Sequence, residues 1–375
     1  MSVPSVAIGI GGPAAGGASR MRAPRSRSRR RSGAALPSAP NVLHLSNTSA
    51  DIERAAQLLR RGELVAFPTE TVYGLGADAA NPGAVARIFA AKGRPADHPL
   101  IVHVADAAQL ERWARRVPAA ARRLAAAFWP GPLTLIVERA AAVSDAVTGG
   151  QDTVGVRVPS HPVARALLAA FGGGVAAPSA NRFGRVSPTR AQHVVDEFGE
   201  SGALAAVLDG GACHVGIEST IVDVSQGGVR VLRPGGVSAA DVERVVGAPL
   251  DQRSVDVPRV SGSLASHYAP NTPVELVRAE SLPERVRSAT ERIIVFTRTC
   301  RVVGNATVAV VELPREPQAY AHAIYAALRA ADEMRAARIV VEEPPDEPAW
   351  LAVRDRLLRA AHVTRTVSDT GSVTT

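Results

Sequence analysis

The chain has 375 residues and a mass of 39.0 kDa, a size typical of two or three domains. Hydrophobic residues make up 46% and charged residues 21%, close to globular averages, which excludes wholesale disorder. No uninterrupted apolar stretch approaches the roughly 18 residues needed to cross a bilayer, which argues against an integral membrane protein. Two distant cysteines, Cys213 and Cys300, can form neither a disulfide framework nor a structural zinc site by themselves, and favour a reducing, cytoplasmic compartment.

The net charge of +8 lies almost entirely in the first 40 residues, which contain seven arginines and no acid. The remaining chain carries 36 basic and 35 acidic residues, a near-neutral balance that argues against strong sequence-independent binding of nucleic acid. We predict that residues 1–44 form a disordered leader. A phosphate-binding arm, a transit peptide and a translation start at Met21 or later are the alternatives.

The elements that follow alternate between helix and strand and predict one sizeable α/β domain over residues 45–247. A capping box at Thr48 and Asp51 begins the first helix, and Asn81-Pro82 begins the second, which ends at Lys92. Strands are predicted at 64–69, 99–104, 133–138, 153–158, 173–177, 206–210, 219–224 and 228–233. Further helices are predicted at 107–127, 162–171, 189–198 and 239–246.

The second half of the chain predicts a smaller α/β domain. Residues 248–272 have no convincing helix or strand period and read as a linker that could act as a lid. Beyond it, VELVRA, RIIVFTR, TVAVVEL and ARIVVEE alternate with helical stretches at 283–289, 317–334 and 348–361. This pattern is typical of a small parallel sheet covered by helices, here over residues 273–367, and residues 368–375 are predicted to be a disordered tail.

One basic residue differs in kind from all the others. Of the 43 basic residues, 42 are arginine and one is lysine, Lys92. A compact ammonium and a planar guanidinium are interchangeable on a solvated surface but not at a phosphate or catalytic site. The retained lysine therefore indicates a function, although survival by chance is the alternative.

Four polar clusters lie at predicted element boundaries, where a sheet presents functional groups. The first is PTETVYGLG (68–76), in which two glycines permit close approach of the backbone. Its polar residues are Thr69, Glu70, Thr71 and Tyr73. The segment matches a dinucleotide-binding fingerprint only loosely, because the next helix starts too late, and we reject a nicotinamide site. A turn with capped hydroxyls is the structural alternative.

The second cluster, KGRPADHPLIVHV (92–104), places Lys92 and Arg94 near His98 and His103. Lysine supplies a point charge and arginine a forked contact, and both stay charged at neutral pH, so polyphosphate is the predicted partner. The segment is not a P-loop, because its glycine follows the lysine. Either histidine could equally be an ordinary loop or sheet residue.

The third and fourth clusters complete a possible ligand wall. APSAN (177–181) places Ser179 and Asn181 on one side of a turn, and together with Arg157 and Ser187 it could bind a carboxylate and phosphates. GIESTIVDV (216–224) and the following VLRPG are predicted to form a hairpin. A polar strand edge without a function is the structural alternative. The candidate residues of the hairpin are Glu218, Ser219, Thr220 and Arg233. Because hydrolase, zinc-site and RNA-recognition signatures are missing from the sequence, phosphate chemistry remains the best interpretation.

In order, spacing and content these clusters resemble the threonylcarbamoyl-AMP synthase family with the YrdC-type catalytic domain, in its long, two-domain form. The blocks that carry the resemblance are PTETVYGLG, KGRPADHPLIVHV, FWPGPLTLI, VGVRVPSHP, APSANRFGRVSPT, GIESTIVD, VLRPG and SHYAP (266–270). The resemblance implies an open, twisted α/β domain around a large concave cavity, followed by a Rossmann-like domain. It implies that L-threonine, bicarbonate and ATP become threonylcarbamoyl-AMP and pyrophosphate, with Mg²⁺ on the ATP phosphates and no metal ligands from protein side chains.

The resemblance also implies roles for individual residues. Threonine would be surrounded by Thr71, His103, Arg157, Ala177 and Ser219, with Arg157 on its carboxylate. The ATP side would be lined by Lys92, Arg94, His98, Thr153, Ser179, Asn181, Ser187, Arg233 and Tyr268, with Lys92 and Arg94 as the catalytic cations. His98 departs from the family pattern, which has asparagine at this position, so its role is less secure than that of Arg94.

The resemblance further implies that the product feeds a tRNA-modification transferase complex, which transfers the threonylcarbamoyl group to an adenosine beside the anticodon. Weak RNA contact is expected, and membrane contact is not. The main alternative is a non-catalytic module of the same fold that binds double-stranded RNA or tRNA. A carbamoyl-transfer domain of hydrogenase-maturation type is a second rival, but the zinc-finger cysteines of that class are missing from this sequence.

Overall fold

The computed structural model describes residues 42–252 and 257–368, with side chains described as far as residue 361. The described residues form two sheets, one of ten strands within the first 233 residues and one of four strands beyond residue 273. This confirms the predicted α/β class, with a larger first domain and a smaller second domain. None of the described helices is both long and apolar enough to cross a membrane.

The larger sheet belongs to residues 43–233. Its strands are β1 (Leu43–Leu45), β2 (Val65–Phe67), β3 (Gly74–Asp78), β4 (Ile101–His103), β5 (Leu133–Glu138), β6 (Thr153–Arg157), β7 (Val175–Ala176), β8 (Ala206–Leu208), β9 (Thr220–Asp223) and β10 (Arg230–Arg233). Its helices are α1 (Ser49–Arg60), α2 (Pro82–Lys92), α3 (Leu110–Trp113), α4 (Ala119–Phe128), α5 (Asp145–Thr148), α6 (Pro162–Phe171), α7 (Ala191–Phe198) and α8 (Ala239–Val246).

The strand order is β1-β8-β2-β3-β7-β4-β6-β5-β9-β10, with parallel and antiparallel pairs mixed. In the middle of this sheet β4 and β6 are parallel, and His103 is in register with Arg157. Both residues stand at the carboxyl ends of their strands. Carboxyl ends of neighbouring parallel strands meet at one edge of a sheet, so this register brings the two polar side chains together.

Helix α2 shows how the local sequence places a functional residue. The Asn81 side chain accepts a hydrogen bond from the Ala84 amide, and Pro82 occupies the first turn. The helix ends because Gly93 adopts a left-handed conformation with φ of 64°. Lys92 is therefore the last residue of a well-defined helix, and its side chain is buried.

Two predictions about this domain were wrong, and one strand was missed. The long helix expected at 107–127 is broken: a 3₁₀ turn (Ala107–Gln109) and α3 precede an irregular stretch, and α4 begins only after Pro118, which cannot extend a helix from within. Strand β3, which directly follows Tyr73, was not predicted. The predicted leader ran too far, because Leu43–Leu45 pair with β8 as a parallel edge strand. Residues 1–41 of the leader lie outside the described residues.

The smaller sheet contains β11 (Val274–Val277), β12 (Ile293–Thr297), β13 (Val308–Glu312) and β14 (Arg338–Glu342), in the order β11-β14-β12-β13. All its pairs are parallel. Its helices are α9 (Leu282–Arg287), α10 (Pro317–Glu333) and α11 (Leu351–Ser368), with a 3₁₀ turn at Pro348–Trp350. Residues 369–375 of the predicted tail lie outside the described residues, while Ser368 still belongs to α11.

The two domains share a hydrophobic core. Val72, Val186 and Ile217 of the first domain pack in one cluster with Ile324 of α10 and Leu357 of α11. Tyr268 of the segment that connects the domains belongs to the same cluster. Three polar motifs of the first domain therefore each contribute a hydrophobic residue that is buried against helices of the second domain.

Candidate functional site

A cleft at the centre of the larger sheet contains the predicted functional residues. It lies between the first domain and the connecting segment and comprises about 590 Å³ of space, part of which is open to solvent. The residues whose convergence the phosphate interpretation requires all line it: Lys92, Arg94, Arg157, Ser179 and Arg233. The other predicted residues in its wall are Thr71, His103, Ala177, Asn181, Ser219 and Tyr268. Side chains from distant parts of the sequence thus form one polar wall.

One end of the cleft is built around Arg157. Its Nη2 lies 2.7 Å from Oε1 of Glu70, and both side chains are at least 95% buried. Its Nη1 donates a 3.0 Å hydrogen bond to Oγ1 of Thr71. Burial alone would raise the pKa of Glu70, but the Arg157 guanidinium lowers it, so the carboxylate remains charged beside its partner.

His103 stands next to this pair and remains uncharged. Complete burial lowers the pKa of His103 to about 3, and the nearby Arg157 cation adds to the effect. Its ring lies edge-on to Phe67, with centroids 6.0 Å apart. Its Nδ1 has no hydrogen-bond partner among the described residues. A neutral imidazole at this position can accept a hydrogen bond from a ligand hydroxyl or donate one, depending on its tautomer.

Lys92 is held by neutral carbonyl groups. Its Nζ donates to the carbonyl oxygen of Ser179 at 2.6 Å and to that of Asn181 at 2.5 Å. Burial lowers the pKa of Lys92 well below its ordinary value, and the Arg94 cation lowers it further. Across residues 42–252 and 257–361 no carboxylate lies within ion-pair distance of this ammonium. The site is therefore prepared for an anionic ligand that would supply the missing negative charge.

Two arginines connect the cleft to the connecting segment. Arg94 donates from Nη2 to Oγ of Ser261 at 3.0 Å, and Arg233 donates from Nη1 to the Ser261 carbonyl oxygen at 2.9 Å. Arg233 also donates from Nη2 to the carbonyl oxygen of Ser219 at 2.8 Å. Because these acceptors are neutral, the contacts position both guanidinium groups without cancelling their charges.

Tyr268 closes this side of the cleft. It is 99% buried, and its backbone has a φ of 61°, a left-handed conformation that is uncommon for a residue with a side chain. The adjacent Ala269 forms a β-bridge with Arg185 and donates its amide to the Gly184 carbonyl oxygen. The Tyr268 hydroxyl is buried and has no hydrogen-bond partner among the described residues.

Three predicted ATP-side residues do not line this cleft. His98 contacts its rim through Phe183, whose ring centroid lies 5.3 Å away. Thr153 lines a smaller neighbouring cavity beside Ser261. Ser187 stands behind the wall and donates a 2.6 Å hydrogen bond to Oε1 of Glu218. Their predicted contacts with ATP stay predictions.

The cleft also contains residues that sequence reasoning did not single out. Ser261 and Gly262 of the connecting segment line it, and so do Phe183 and Gly184. Ser261 and Gly262 lie in a stretch without helix or strand period, so no local pattern marks them. Phe183 and Gly184 belong to the APSANRFGRVSPT block, whose match could have drawn attention to them.

Comparison with known proteins identifies the family. The family model described as "Telomere recombination" matches residues 57–235, and the model described as "Threonylcarbamoyl-AMP synthase, C-terminal domain" matches residues 237–362. The threonylcarbamoyl-AMP synthase of Pyrococcus abyssi is 40% identical over 322 residues, which cover 83% of this chain and 94% of the relative. That of Bacillus subtilis is 40% identical over 331 residues, covering 84% and 94%. The chain belongs to the threonylcarbamoyl-AMP synthase family.

Solved structures agree with this assignment. A crystal structure of Sua5 from P. abyssi complexed with L-threonine matches with a TM-score of 0.77 and 37% identity, covering 85% of this chain and 97% of that one. The predicted family, fold class and enzyme class, a nucleotidyltransferase of the threonylcarbamoyl-AMP synthase family, are therefore confirmed. Both domains of the long form take part in the match.

Proposed function

We propose that this protein condenses L-threonine, bicarbonate and ATP into threonylcarbamoyl-AMP and pyrophosphate. One observation carries the proposal: a carboxylate-binding arginine, a neutral histidine, a lysine and two further arginines line a single buried cleft. An amino acid and a nucleotide could therefore meet in it. The complex of the P. abyssi protein with L-threonine supports threonine as one substrate.

The amino acid would occupy the end of the cleft at Arg157. A guanidinium already fixed by Glu70 and Thr71 can form a forked contact with the threonine carboxylate through small adjustments. His103 and Ser219 would bind the threonine hydroxyl. Valine has a methyl group in place of that hydroxyl and would leave these buried polar groups unsatisfied, so we propose strong discrimination against valine.

The nucleotide would occupy the other end, between Lys92, Arg94, Arg233 and Tyr268. The threonine amine would form a carbamate, either from CO₂ with loss of a proton or from bicarbonate with loss of water. A carbamate oxygen would attack the α-phosphorus of ATP, the bond to the β-phosphate would break, and pyrophosphate would leave. Such a transfer requires positioning and neutralisation of charge rather than a protein nucleophile, which suits a wall of cations and hydroxyls.

Magnesium would accompany ATP and supply positive charge to its phosphates. The two carboxylates that line or adjoin the cleft, Glu70 and Glu218, are each paired with an arginine. No group of three potential metal-ligating side chains occurs in the described part of the chain. This arrangement fits a metal bound through the phosphates rather than through protein carboxylates.

Exclusion of water would protect the adenylate, and the connecting segment stands in the right place for it. Tyr268 and Gly262 form the wall between the cleft and the second domain. We propose that this segment moves aside to admit ATP and closes during the reaction. The product would then pass to a transferase complex that modifies tRNA, and we place this step in the cytoplasm.

A pyrophosphate exchange assay tests the proposal. Incorporation of labelled pyrophosphate into ATP should require both L-threonine and bicarbonate, and valine should support it about 10⁴-fold less well. Exchange without threonine would contradict the assigned substrate. Tight binding of double-stranded RNA without any exchange would favour the non-catalytic alternative instead.

A further inference from the structure

The second domain contacts the cleft through one buried carboxylate, Glu218. Its Oε2 accepts hydrogen bonds from Nε of Arg356 and from the hydroxyl of Tyr325, each at 2.9 Å. Its Oε1 accepts from Ser187. Arg356 lies on α11 and Tyr325 on α10, whereas Glu218 lines the cleft next to Ser219. Two residues of the second domain thus hold a carboxylate of the first.

Arg356 makes further contacts around the same point. It is 99% buried, and its Nη1 donates to the carbonyl oxygen of Pro234 at 2.8 Å. Pro234 follows Arg233, one of the cleft cations. The Arg356 guanidinium also lies 5.2 Å from the centre of the Tyr268 ring, which stacks on Tyr325 at 5.9 Å. Arg356 therefore touches three segments of the cleft wall, those that contain Glu218, Arg233 and Tyr268.

The negative charge of Glu218 makes its ion pair with Arg356 important for Arg233. Burial alone would raise the pKa of Glu218, but the cations of Arg356 and Arg233 lower it to about 2. Glu218 is thus a permanent buried anion with two cationic neighbours. Arg356 pairs with Glu218 through Nε at 2.9 Å and with Asp355 of its own helix through Nη1 at 2.8 Å, while Arg233 donates to the carbonyl oxygens of Ser219 and Ser261.

We infer that Arg356 is a positioning residue that neutralises Glu218 and so keeps Arg233 free for the nucleotide phosphates. Without Arg356 the buried carboxylate would attract Arg233, because an unpaired buried charge is strongly unfavourable. Arg233 would then leave the ligand side of the wall. On this inference the second domain completes the nucleotide site although it contributes no side chain to the cleft.

Some relatives are little more than half as long as this chain, which bears on the role of the second domain. The putative threonylcarbamoyl-AMP synthase of Mycobacterium tuberculosis is 40% identical over 199 residues, which cover 53% of this chain and 90% of that protein. The match leaves almost nothing of that protein to correspond to a second domain. We therefore treat neutralisation of Glu218 by Arg356 as a property of the long form, in which the anion would otherwise be buried without its partner.

The experiment compares R356M with R354M in the full chain. Arg354 lies on the same helix, but its ion pairs are with Glu343 and Asp346 within the second domain. ATP binding is measured directly by calorimetry, and the KM values for ATP and threonine by pyrophosphate exchange. R356M should weaken ATP binding roughly tenfold or more while changing the threonine KM much less. R354M should leave both within about twofold of the wild type.

The double variant E218Q/R356M separates charge competition from loss of a tether. Because it removes the buried anion together with its partner, Arg233 should return to the ligand, and ATP binding should recover to within a few fold of the wild type. This variant also replaces R356M if the single variant does not fold. ATP binding as weak as in R356M, or tenfold weaker than wild type where R356M cannot be measured, would overturn the inference.

The inference rests on the proposed function, and the two can fail separately. An inactive wild-type protein that still binds ATP would refute the proposed function, whereas the calorimetric comparison would continue to test Arg356. An active wild type with R356M and R354M alike in ATP binding would refute the role of Arg356 alone. R356K keeps a cation beside Glu218 and should bind ATP better than R356M; equal losses in both would also refute the charge argument.

Discussion

Glu70 and Arg157 form a buried ion pair across 87 positions of sequence separation, with 2.7 Å between Oε1 and Nη2. Glu70 also accepts the Ser160 amide at 3.1 Å, so its carboxylate is fixed by a second element. Arg157 is thereby held with a preset orientation and without freedom to turn toward other acceptors. We regard Glu70 as a positioning residue for the amino-acid end of the cleft.

The E70Q substitution should weaken threonine binding more than ATP binding. A neutral amide keeps the shape of Glu70 but leaves the Arg157 cation buried without its counter-charge, and breaking such a pair costs about 3–5 kcal/mol of unfolding free energy. We expect a threonine KM at least tenfold higher. Steady-state kinetics and denaturant unfolding measure the two effects.

E63Q provides the control for this change. Glu63 pairs with Arg87 at 2.9 Å, but about half of each side chain is exposed, and exposed pairs contribute about 0–1 kcal/mol. The carbonyl oxygen of Gly131 accepts a 3.3 Å hydrogen bond from Nε of Arg157. Unchanged threonine binding in E70Q would show that this contact and Thr71 orient Arg157 without the carboxylate.

The K92R substitution should abolish most turnover while the fold remains. The space around Lys92 accommodates one ammonium between two carbonyl oxygens, and a larger planar guanidinium cannot make both contacts from the same backbone position. We expect a loss of at least about a hundredfold in turnover, because a displaced catalytic cation no longer stabilises the developing charge.

The reverse substitution on the same helix, R87K, provides the control. Arg87 is more than half exposed, so lysine should serve equally well there. Circular dichroism and thermal unfolding confirm that both variants fold. Wild-type turnover in K92R would contradict the prediction, because it would show that the reaction does not require lysine at position 92.

Local patterns predicted the fold far better than they predicted the neighbours of each side chain. Strand β5 and helix α6 were predicted with their observed bounds. The hydrophobic period and the capping residues that define such elements lie close together in the sequence. The convergence of Lys92 with Ser179 was reached only through the family resemblance. Arg356 was not predicted at all: its helix could be recognised, but nothing local specifies that one of its arginines is buried against a carboxylate 138 positions earlier.

Binding of ATP should be accompanied by uptake of a proton at Lys92. In the free protein, burial and the Arg94 cation lower the pKa of Lys92, and a bound phosphate would raise it again. At a pH between the pKa of Lys92 in the free protein and its pKa in the ATP complex, binding requires uptake of a proton. ATP affinity should therefore fall as the pH rises through this interval.

Calorimetry at about pH 8, where the second ionisation of a phosphate is complete, measures this uptake. The observed heat should differ between two buffers of unequal ionisation enthalpy, and the difference should vanish in K92M. Equal heats in both buffers for the wild type would show that Lys92 is already protonated before ATP binds.

The G262A substitution should displace Tyr268 from the cleft wall. Gly262 has a φ of 81°, and a Cβ built on it would overlap the Tyr268 hydroxyl and approach Nη1 of Arg233 to 3.3 Å. Because Tyr268 is confined by Tyr325 and Arg356, it cannot yield without breaking those contacts. We expect ATP binding about tenfold weaker.

G227A provides a matched control, because Gly227 has a similar φ of 78° with open space where a Cβ would stand. Both variants should lose about 1–2 kcal/mol of unfolding free energy from the left-handed backbone, but only G262A should lose ATP affinity. Calorimetric ATP binding and denaturant unfolding separate the two effects. Equal ATP binding in G262A and G227A would mean that the connecting segment adapts without moving Tyr268, and that this tyrosine does not close the nucleotide side of the cleft.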